Sequence, residues 1–435
     1  MEPRSPLERR VARIRSARAT AAAGTDRRKR SPLERRVAWA LFGLMVAGAV
    51  ASLALGSGDP GTAASPGTAA SPGSPQVESA ATPVDPVSAA SEEPTVAAAT
   101  DDGPSSFTIA ATGDLLIHES VADAARTSDG WDFTSMFDRV APILEQADLA
   151  VCHVESPMSP NNSRLSYFPA FLVPRELADA IAHAGYDTCS LASNHATDAG
   201  REGIVGTVGA LDRVGVAHAG MALSPEARDE VTLIEVGDAT VAHLSYTYGF
   251  NNGELDSDES HLSNVIDEAA IRDEARRARS AGADFVMLSL HWGTNYTSQP
   301  DGQQVGLGPR LLTSPDIDLI LGHHTHIVQP VVRIGGEFLV YGLGNFLSNQ
   351  SPETCPECPL PTEDGVIVHL TVTEDEATGR WTVTDIAHTP TWVDRSNFEI
   401  VDVLRDDRRD MGLLQDSARR TASSLASLGT TVEPR

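Results

Sequence analysis

The chain has 435 residues, with 33 Lys/Arg against 60 Asp/Glu and a formal net charge of −27 at pH 7. The first 36 residues hold 12 Lys/Arg and 4 Asp/Glu, which leaves 21 against 56 for the rest. So acidic a body repels a phosphate backbone, which excludes nucleic acid as its partner.

Residues 1–36 form a basic segment in which Ser5–Ala12 recurs as Ser31–Ala38. Residues 37–56 follow it as an apolar run, and the 19 residues from Val37 to Leu55 carry no charge. That length spans a bilayer as a helix. The positive flank stays in the cytoplasm, so the expectation is a single-pass protein of the cell membrane, its main domain extracellular. Ala49-Val50-Ala51 offers a small-x-small cleavage site as the alternative to an uncleaved anchor. Residues 57–104 read as a disordered Pro/Ala/Ser/Gly linker, with Gly61–Pro66 repeated as Gly67–Pro72. Such a composition buries too little apolar surface to offset its ordering entropy.

A folded body is expected over 105–394, with strand and helix alternating. Phe107–Thr112 is apolar and ends in Gly113-Asp114. Phe133–Gln146 has helical spacing, Asp148–Val154 is a strand ending at Glu155, and Pro174–Ala184 is a helix. Tyr186–Ala192 is a strand ending at Asn194-His195, followed by a helix over Gly203–Val214. Thr232–Glu235 and Thr240–Ser245 are strands around a Gly237-Asp238 turn. Ile266–Ala281 is a helix closed by Gly282. Phe285–Leu290 is a strand ending at His291, Val305–Leu312 a helix, and Ile317–Leu321 a strand ending at Gly322. Val331–Ile334 with Phe338–Tyr341, and Val366–Val372 with Trp381–Ile386, form hairpins. Strands with helical crossovers give an α/β fold built on a mostly parallel sheet with antiparallel pieces. Residues 395–435 are a charged tail with one modest helix near Asp406–Ala426.

Ligands of open α/β sheets collect at the carboxyl ends of strands. Here those ends carry Asp114, Glu155, Asn194-His195, His291 and Gly322-His323-His324-Thr325-His326. Three imidazoles in four residues after an apolar strand are hard to explain by packing, and H-x-H places two nitrogens on one side of a turn. Carboxylates, an amide and imidazoles converging at one edge have the composition of a two-metal hydrolytic site, and mixed N and O ligands suit Zn, Mn or Fe.

The same motifs carry a resemblance. Thr112-Gly113-Asp114, Val154–Pro157, Ser193–Gly200, His291-Trp292-Gly293, Gly322–His326 and Tyr341–Phe346 resemble, in order, the CapA (PGA_cap) family of capsule and poly-γ-glutamate synthesis proteins, related to calcineurin-like metallophosphoesterases. The resemblance implies a four-layered α/β/β/α metallophosphoesterase-like sandwich, an N-terminal transmembrane helix and two divalent transition metals. It places Asp114, Glu155, Asn194, His291, His324 and His326 as metal ligands, and His195 as the acid that protonates a leaving oxygen. His118, Trp292, His323 and Asn345 would contact substrate or support the ligands. The chain departs from ordinary metallophosphoesterases in two ways. Their first motif is Asp-x-His, whereas His118 falls four residues after Asp114; their bridging Asp is Glu155 here.

Of the remaining histidines, including His153, none clusters in sequence. Cys355 and Cys358 lie in a Pro-rich loop as a local disulfide. Cys152 and Cys189 each sit in a core strand, where a buried thiol is the default and a bridge requires the strands to be neighbours. Two functional classes follow from the resemblance. One is a non-catalytic subunit that guides an anionic envelope polymer such as poly-γ-glutamate beside a membrane-bound polymer synthase. The other is a stand-alone metal-dependent hydrolase of a phosphoester or other envelope substrate.

Overall fold

A computed structural model describes residues 105–435. The basic segment, the apolar run and the linker expected in residues 1–104 lie outside the described residues. Among the described residues no helix is long and apolar enough to cross a membrane.

In chain order, β1 (Ser106–Leu115) leads to α1 (Glu119–Ala124), α2 (Ala141–Leu144) and β2 (Leu149–Val154). Next come α3 (Leu177–His183), β3 (Thr188–Ser190), α4 (Gly200–Val214) and β4 (Ala217–Ala219). α5 (Pro225–Asp229) precedes the hairpin of β5 (Thr232–Val236) and β6 (Ala239–Thr247). α6 (Glu268–Ser280), β7 (Phe285–His291), α7 (Gly302–Leu312) and β8 (Leu319–His323) continue the alternation. β9 (Val331–Ile334), β10 (Glu337–Val340), β11 (Asn345–Leu347), β12 (Asp364–Asp375) and β13 (Arg380–Asp394) then run without an intervening α-helix. The chain closes with β14 (Glu399–Asp402), α8 (Met411–Leu425) and β15 (Glu433–Pro434).

One sheet has the order β14-β13-β12-β1-β2-β3-β4, with β11 added beside β1 and β15 beside β13. The other runs β5-β6-β7-β8-β10-β9. β1 to β4 are mutually parallel, as are β6 to β8, while β12 to β14 are antiparallel. The charged tail joins the body: β14 and β15 pair with β13, and α8 is tied to β12 through Arg420 and Asp364.

The expected helix over Phe133–Gln146 is broken into a 3-10 turn, Thr134–Met136, and α2. Pro142 stands at the start of α2, where its missing N–H and fixed φ suit a first turn but not an interior.

Alternation along the central strands dictates the layers, because successive side chains of a strand face opposite ways. On β1, Phe107, Ile109 and Ala111 join the core between the sheets, while Ala110 and Leu115 face a second core under the helices. On β2, Leu149 and Val151 face inward and Ala150, Cys152 and Val154 outward. On β7, Phe285 and Met287 face inward, and Val286, Leu288 and Leu290 pack on a third core that includes residues of α6 and α7. The order is therefore helix, sheet, sheet, helix.

The inward positions change character along each strand. β2 continues Leu149, Val151, His153, Glu155; β7 continues Phe285, Met287, Ser289, His291; β8 continues Leu319, Leu321, His323. The layer between the sheets is apolar at one end and histidine- and carboxylate-rich at the other.

Candidate metal centre

The polar end of that layer is assembled by strand ends and two close backbone approaches. A Cβ on Gly113 would lie 1.9 Å from the Gly344 carbonyl oxygen, and one on Gly322 would lie 1.9 Å from that of Tyr341. Glycine at both positions lets β1 and β8 reach the segment Tyr341–Asn345 that carries Asn345. His324 and His326 sit at φ 89° and 55°, a left-handed backbone unusual for residues with a Cβ. The turn Gly322–His326 folds its imidazoles back over Asp114 and Glu155.

Asp114 is buried, with Oδ1 3.4 Å from His323 Nδ1 and Oδ2 3.3 Å from His326 Nδ1. Its Oδ2 also accepts the His324 backbone N–H at 3.2 Å. Glu155 Oε1 lies 3.8 Å from His291 Nε2 and 3.9 Å from His326 Nε2. His291 Nε2 stands 2.7 Å from Asn194 Oδ1, and its Nδ1 2.9 Å from His153 Nε2. Three sets of donor atoms, each within 4.8 Å of one another, result: Asp114 with His153 and His323; Glu155 with His291 and His324; Asp114 with Glu155 and His326. The shared carboxylates make them one cluster.

These residues fit divalent cations. Asp114 Oδ1, both oxygens of Glu155, both ring nitrogens of His323 and Nδ1 of His324 are buried without a hydrogen-bond partner. Unsatisfied buried polar atoms are costly, and so many in one place need a common partner. No lysine occurs among the described residues to supply an ammonium. Among the described residues the ion-pair partners of Asp114 and Glu155 are imidazoles alone.

The protonation pattern agrees. Burial, together with neighbouring imidazoles, holds His153 and His291 well below the usual range and His324 at about 3, so all three are neutral and ligand-ready. Burial, with help from Asp114 and Asp198 and against His326, pushes Glu155 up to about 8. Burial opposes the charge on His326, but Glu155 and Asp114 outweigh it and raise that imidazole to about 9. Burial also works against the Asp114 anion, yet contacts from His323 and His326 hold its carboxyl well below the usual range.

At the mouth, His195 Nδ1 is 2.7 Å from Asp198 Oδ2, which leaves Nε2 as the second ring nitrogen. The Asn251 amide lies 3.3 Å and 3.4 Å from the two ring nitrogens, and the ring meets the edge of Phe171 at 4.7 Å. Tyr248 and Tyr296 lie tilted against His324 and His326, with ring centroids 4.6 Å and 5.8 Å apart. Asn345 Oδ1 accepts from His326 Nδ1 at 3.1 Å, and its amide donates to Gln350 and to the Thr362 carbonyl, which ties the imidazole to the following loop.

The cluster brings together Asp114, Glu155, Asn194, His291, His324 and His326, with His323 now facing Asp114 directly. His118 stands apart from the carboxylates: its Nδ1 meets the Leu116 carbonyl at 3.2 Å and its ring packs on Phe171. Of the two readings open for Trp292, a substrate platform and a packing residue beside the site, the structure shows packing. Its indole is fully buried in the core beneath α7 and donates to the Tyr341 carbonyl at 3.1 Å, so it presents no surface to a substrate. His153 is the main residue that reading the sequence missed. Its signal was its place two residues before Glu155, on the inward face of β2.

Cys152 and Cys189 are register partners on neighbouring β2 and β3 and form a disulfide, which corrects the buried-thiol expectation. Cys355 and Cys358 form a second one. A separate cavity of about 390 Å³ near the start of β1, lined by Thr108, Arg139, His369 and Arg405 among others, shares no residue with the cluster.

The family model for the bacterial capsule synthesis protein PGA_cap matches residues 108–350, more than half of the chain. The chain belongs to the PGA_cap family. Among curated relatives, the PGA biosynthesis protein CapA of Bacillus subtilis is 26% identical over 292 residues, covering 63% of this chain and 72% of that one. The capsule biosynthesis protein CapA of Bacillus anthracis is 25% identical over 251 residues, covering 56% of this chain and 60% of that one. The chain thus spans about three-fifths of the length of this second relative. Among solved structures, the calcineurin-like phosphoesterase YfkN of Bacillus subtilis matches with a TM-score of 0.38 and 13% identity, covering 73% of this chain and 97% of that one. In this PGA_cap chain every residue of the cluster, from Asp114 to Asn345, falls inside the matched span.

Proposed function

We propose that the chain is a membrane-anchored, extracytoplasmic accessory protein of capsule or poly-γ-glutamate synthesis or export that works through a dinuclear divalent-metal centre on a metallophosphoesterase-like fold. The observation that carries the proposal is the coincidence of the family span with the cluster of unsatisfied carboxylate and imidazole atoms. Both CapA relatives carry names from capsule or PGA biosynthesis. The anchor rests on the uncharged run from Val37 to Leu55.

Asp114, Glu155, Asn194, His291, His324 and His326 would hold the metals, with His323 beside them. Divalent ions of the Mn, Zn or Fe type supply Lewis acidity and a lowered pKa for water. The chain's own residues set the rest. Asp198 fixes the His195 ring through Nδ1, and His195 would hand over a proton from Nε2, the nitrogen that also faces the Asn251 amide at 3.4 Å. Tyr248 and Tyr296 give the mouth an aromatic, uncharged rim. A polyanion meets no ammonium here, so its recognition depends on what the carboxylates and imidazoles hold.

A second reading, a stand-alone hydrolase of an envelope phosphoester, is favoured by one observation: the His195–Asp198 pair is set at 2.7 Å beside the cluster. A positioned general acid contributes roughly 10²–10⁴ in rate.

The test is elemental analysis of full-length protein, wild type against His324→Ala/His326→Ala, with p-nitrophenyl phosphate and bis-p-nitrophenyl phosphate turnover in the same samples. About two metals per chain in the wild type, lost in the variant, are expected. Turnover that disappears with the metal selects the hydrolase; metal without turnover, together with loss of exported polymer in a deletion strain, selects the accessory role. A wild type free of metal under metal-replete conditions overturns both.

A further inference from the structure

Tyr296, at the mouth of the cluster, is held from several sides, and no contact uses the hydrogen of its hydroxyl. Its backbone stands at φ 64°, a left-handed conformation unusual for a residue with a Cβ. Its N–H donates to the Thr325 carbonyl at 2.9 Å, inside the Gly322–His326 turn. The carbonyl of the next residue, Thr297, accepts from the buried Gln329 amide at 2.9 Å. Its ring lies tilted against His326, with centroids 5.8 Å apart. Backbone strain persists only where the surroundings over-determine it, and such outliers collect at working sites.

The hydroxyl is oriented by two buried amides. Asn345 Nδ2 donates to the Thr362 carbonyl at 2.9 Å, and a carbonyl only accepts, so this amide has one orientation. The same nitrogen donates to Gln350 Oε1 at 3.1 Å. Gln350 therefore turns its Nε2 to Tyr296 and donates to the phenol oxygen at 3.2 Å. That oxygen accepts, and its own O–H is left over. Among the described residues it has no acceptor. Asn345 Oδ1 meets His326 Nδ1 at 3.1 Å, so His326, Asn345, Gln350 and Tyr296 close a circuit beside the cluster.

Tyr296 is only half-buried, so the unspent hydrogen is open to a molecule entering the mouth. Among the described residues no lysine is present to meet an anion there. A neutral donor held by its oxygen suits an anionic oxygen, because hydrogen bonds to charged groups are the stronger kind. Its orientation is set before the ligand arrives, so little ordering is left to binding.

We propose that Tyr296, aimed by Gln350, is a substrate-binding residue that donates its phenolic hydrogen to an anionic oxygen, phosphoryl or carboxylate, of the molecule taken up at the metal centre. The proposal deepens the function proposed above and rests on it.

The test titrates inorganic phosphate and a γ-linked glutamate trimer separately into Zn²⁺-loaded full-length protein by calorimetry. Zn²⁺ affinity and urea midpoint are measured on the same samples. Tyr296→Phe keeps the ring and removes only the oxygen. It is expected to leave Zn²⁺ affinity and midpoint unchanged and to weaken binding of at least one probe about tenfold or more. A loss confined to phosphate identifies a phosphoryl oxygen, and a loss confined to the trimer a carboxylate. Gln350→Leu leaves the hydroxyl unaimed; it is expected to lose part of the same affinity, and nothing further when combined with Tyr296→Phe. Metal-loaded Tyr296→Phe that binds both probes as tightly as wild type overturns the proposal. So does a loaded wild type that binds neither probe, and a Gln350→Leu loss that adds in full to that of Tyr296→Phe overturns the aiming. A wild type that binds no Zn²⁺ overturns the metal reading itself, an outcome distinct from all of these.

Discussion

The joint between the tail and β12 and the strand ends at Asp114 and Glu155 treat buried carboxylates in opposite ways. Where the tail meets β12, Asp364 takes two bonds from Arg420, at 2.6 and 2.7 Å, and one from Ser417 at 2.7 Å. Next to it Glu363 accepts from Arg395 at 2.7 Å and from the Trp392 indole at 3.3 Å. At the other end of the inter-sheet layer Asp318 is matched to Arg279 and Arg380. At the strand ends Asp114 and Glu155 are buried as deeply, yet among the described residues their ion-pair partners are imidazoles alone. At Asp364, Glu363 and Asp318 the fold supplies a permanent cation to a buried carboxylate that holds elements together, and at Asp114 and Glu155 it supplies none. That contrast, more than the number of histidines, separates a binding site from structural polarity.

The largest expected effect comes from breaking a matched pair. Arg420→Met leaves Asp364 buried without its cation, which costs about 3 kcal/mol or more. Urea unfolding should show a clear fall in midpoint with metal content per folded chain unchanged. An unchanged midpoint would mean that α8 is not held by this pair. The matching substitution at the site should behave differently. Glu155 has no arginine to lose, only the imidazoles of His291 and His326 at 3.8 and 3.9 Å, and its folded pKa of about 8 lies above its unfolded value. Protonated Glu155 is thus the favoured folded form. Stability is full below the unfolded pKa near ~4.5 and is lost as pH rises through about 8. Glu155→Gln, measured in chelator-treated protein, should therefore unfold within about 1 kcal/mol of wild type near pH 5 and gain on it as pH rises toward 8. The same protein should lose metal binding. A variant that is markedly less stable at pH 8 would remove the distinction between the two regions.

Much of the site was legible because it follows from strand chemistry. Asp114, Glu155, His291 and the Gly322–His326 turn each end an apolar strand, and parallel neighbours bring such ends together. What the sequence hid depended on pairing across distance. His153 looked like a lone histidine until its alternation with Leu149, Val151 and Glu155 placed it between the sheets, opposite Ser190 on β3. The tail looked merely charged, because Arg420 and Asp364 are 56 residues apart and no periodicity links them. Trp292 beside His291 invited a role at the site, but adjacent residues of a strand face opposite sides, and the indole went to the outer core. The Cys152–Cys189 bridge likewise needed the order of β2 and β3, which composition does not specify.

His243 gives the finest test, since it is an imidazole in the same layer with all its needs met. Its Nδ1 lies 2.9 Å from Thr188 Oγ1 and its Nε2 3.0 Å from Ser289 Oγ, joining β6 to β3 of the other sheet and to β7. Burial, with a smaller push from His323 and His218, lowers it to about 3, whereas the unfolded chain titrates it near ~6.5. Between those values the unfolded state binds a proton that the folded state refuses. The stability that neutral His243 contributes is complete above about 6.5 and declines as pH falls toward 3. His243→Gln keeps an amide between the same hydroxyls and removes the titration. At neutral pH it should cost only about 1 kcal/mol. From pH 6 to pH 4 the variant should lose stability less steeply than wild type, by one proton in the slope of urea-derived stability against pH, with both proteins stripped of metal. Equal slopes would mean that His243 already charges in the folded chain, and that the satisfied and unsatisfied imidazoles of the layer do not differ in the way their contacts require.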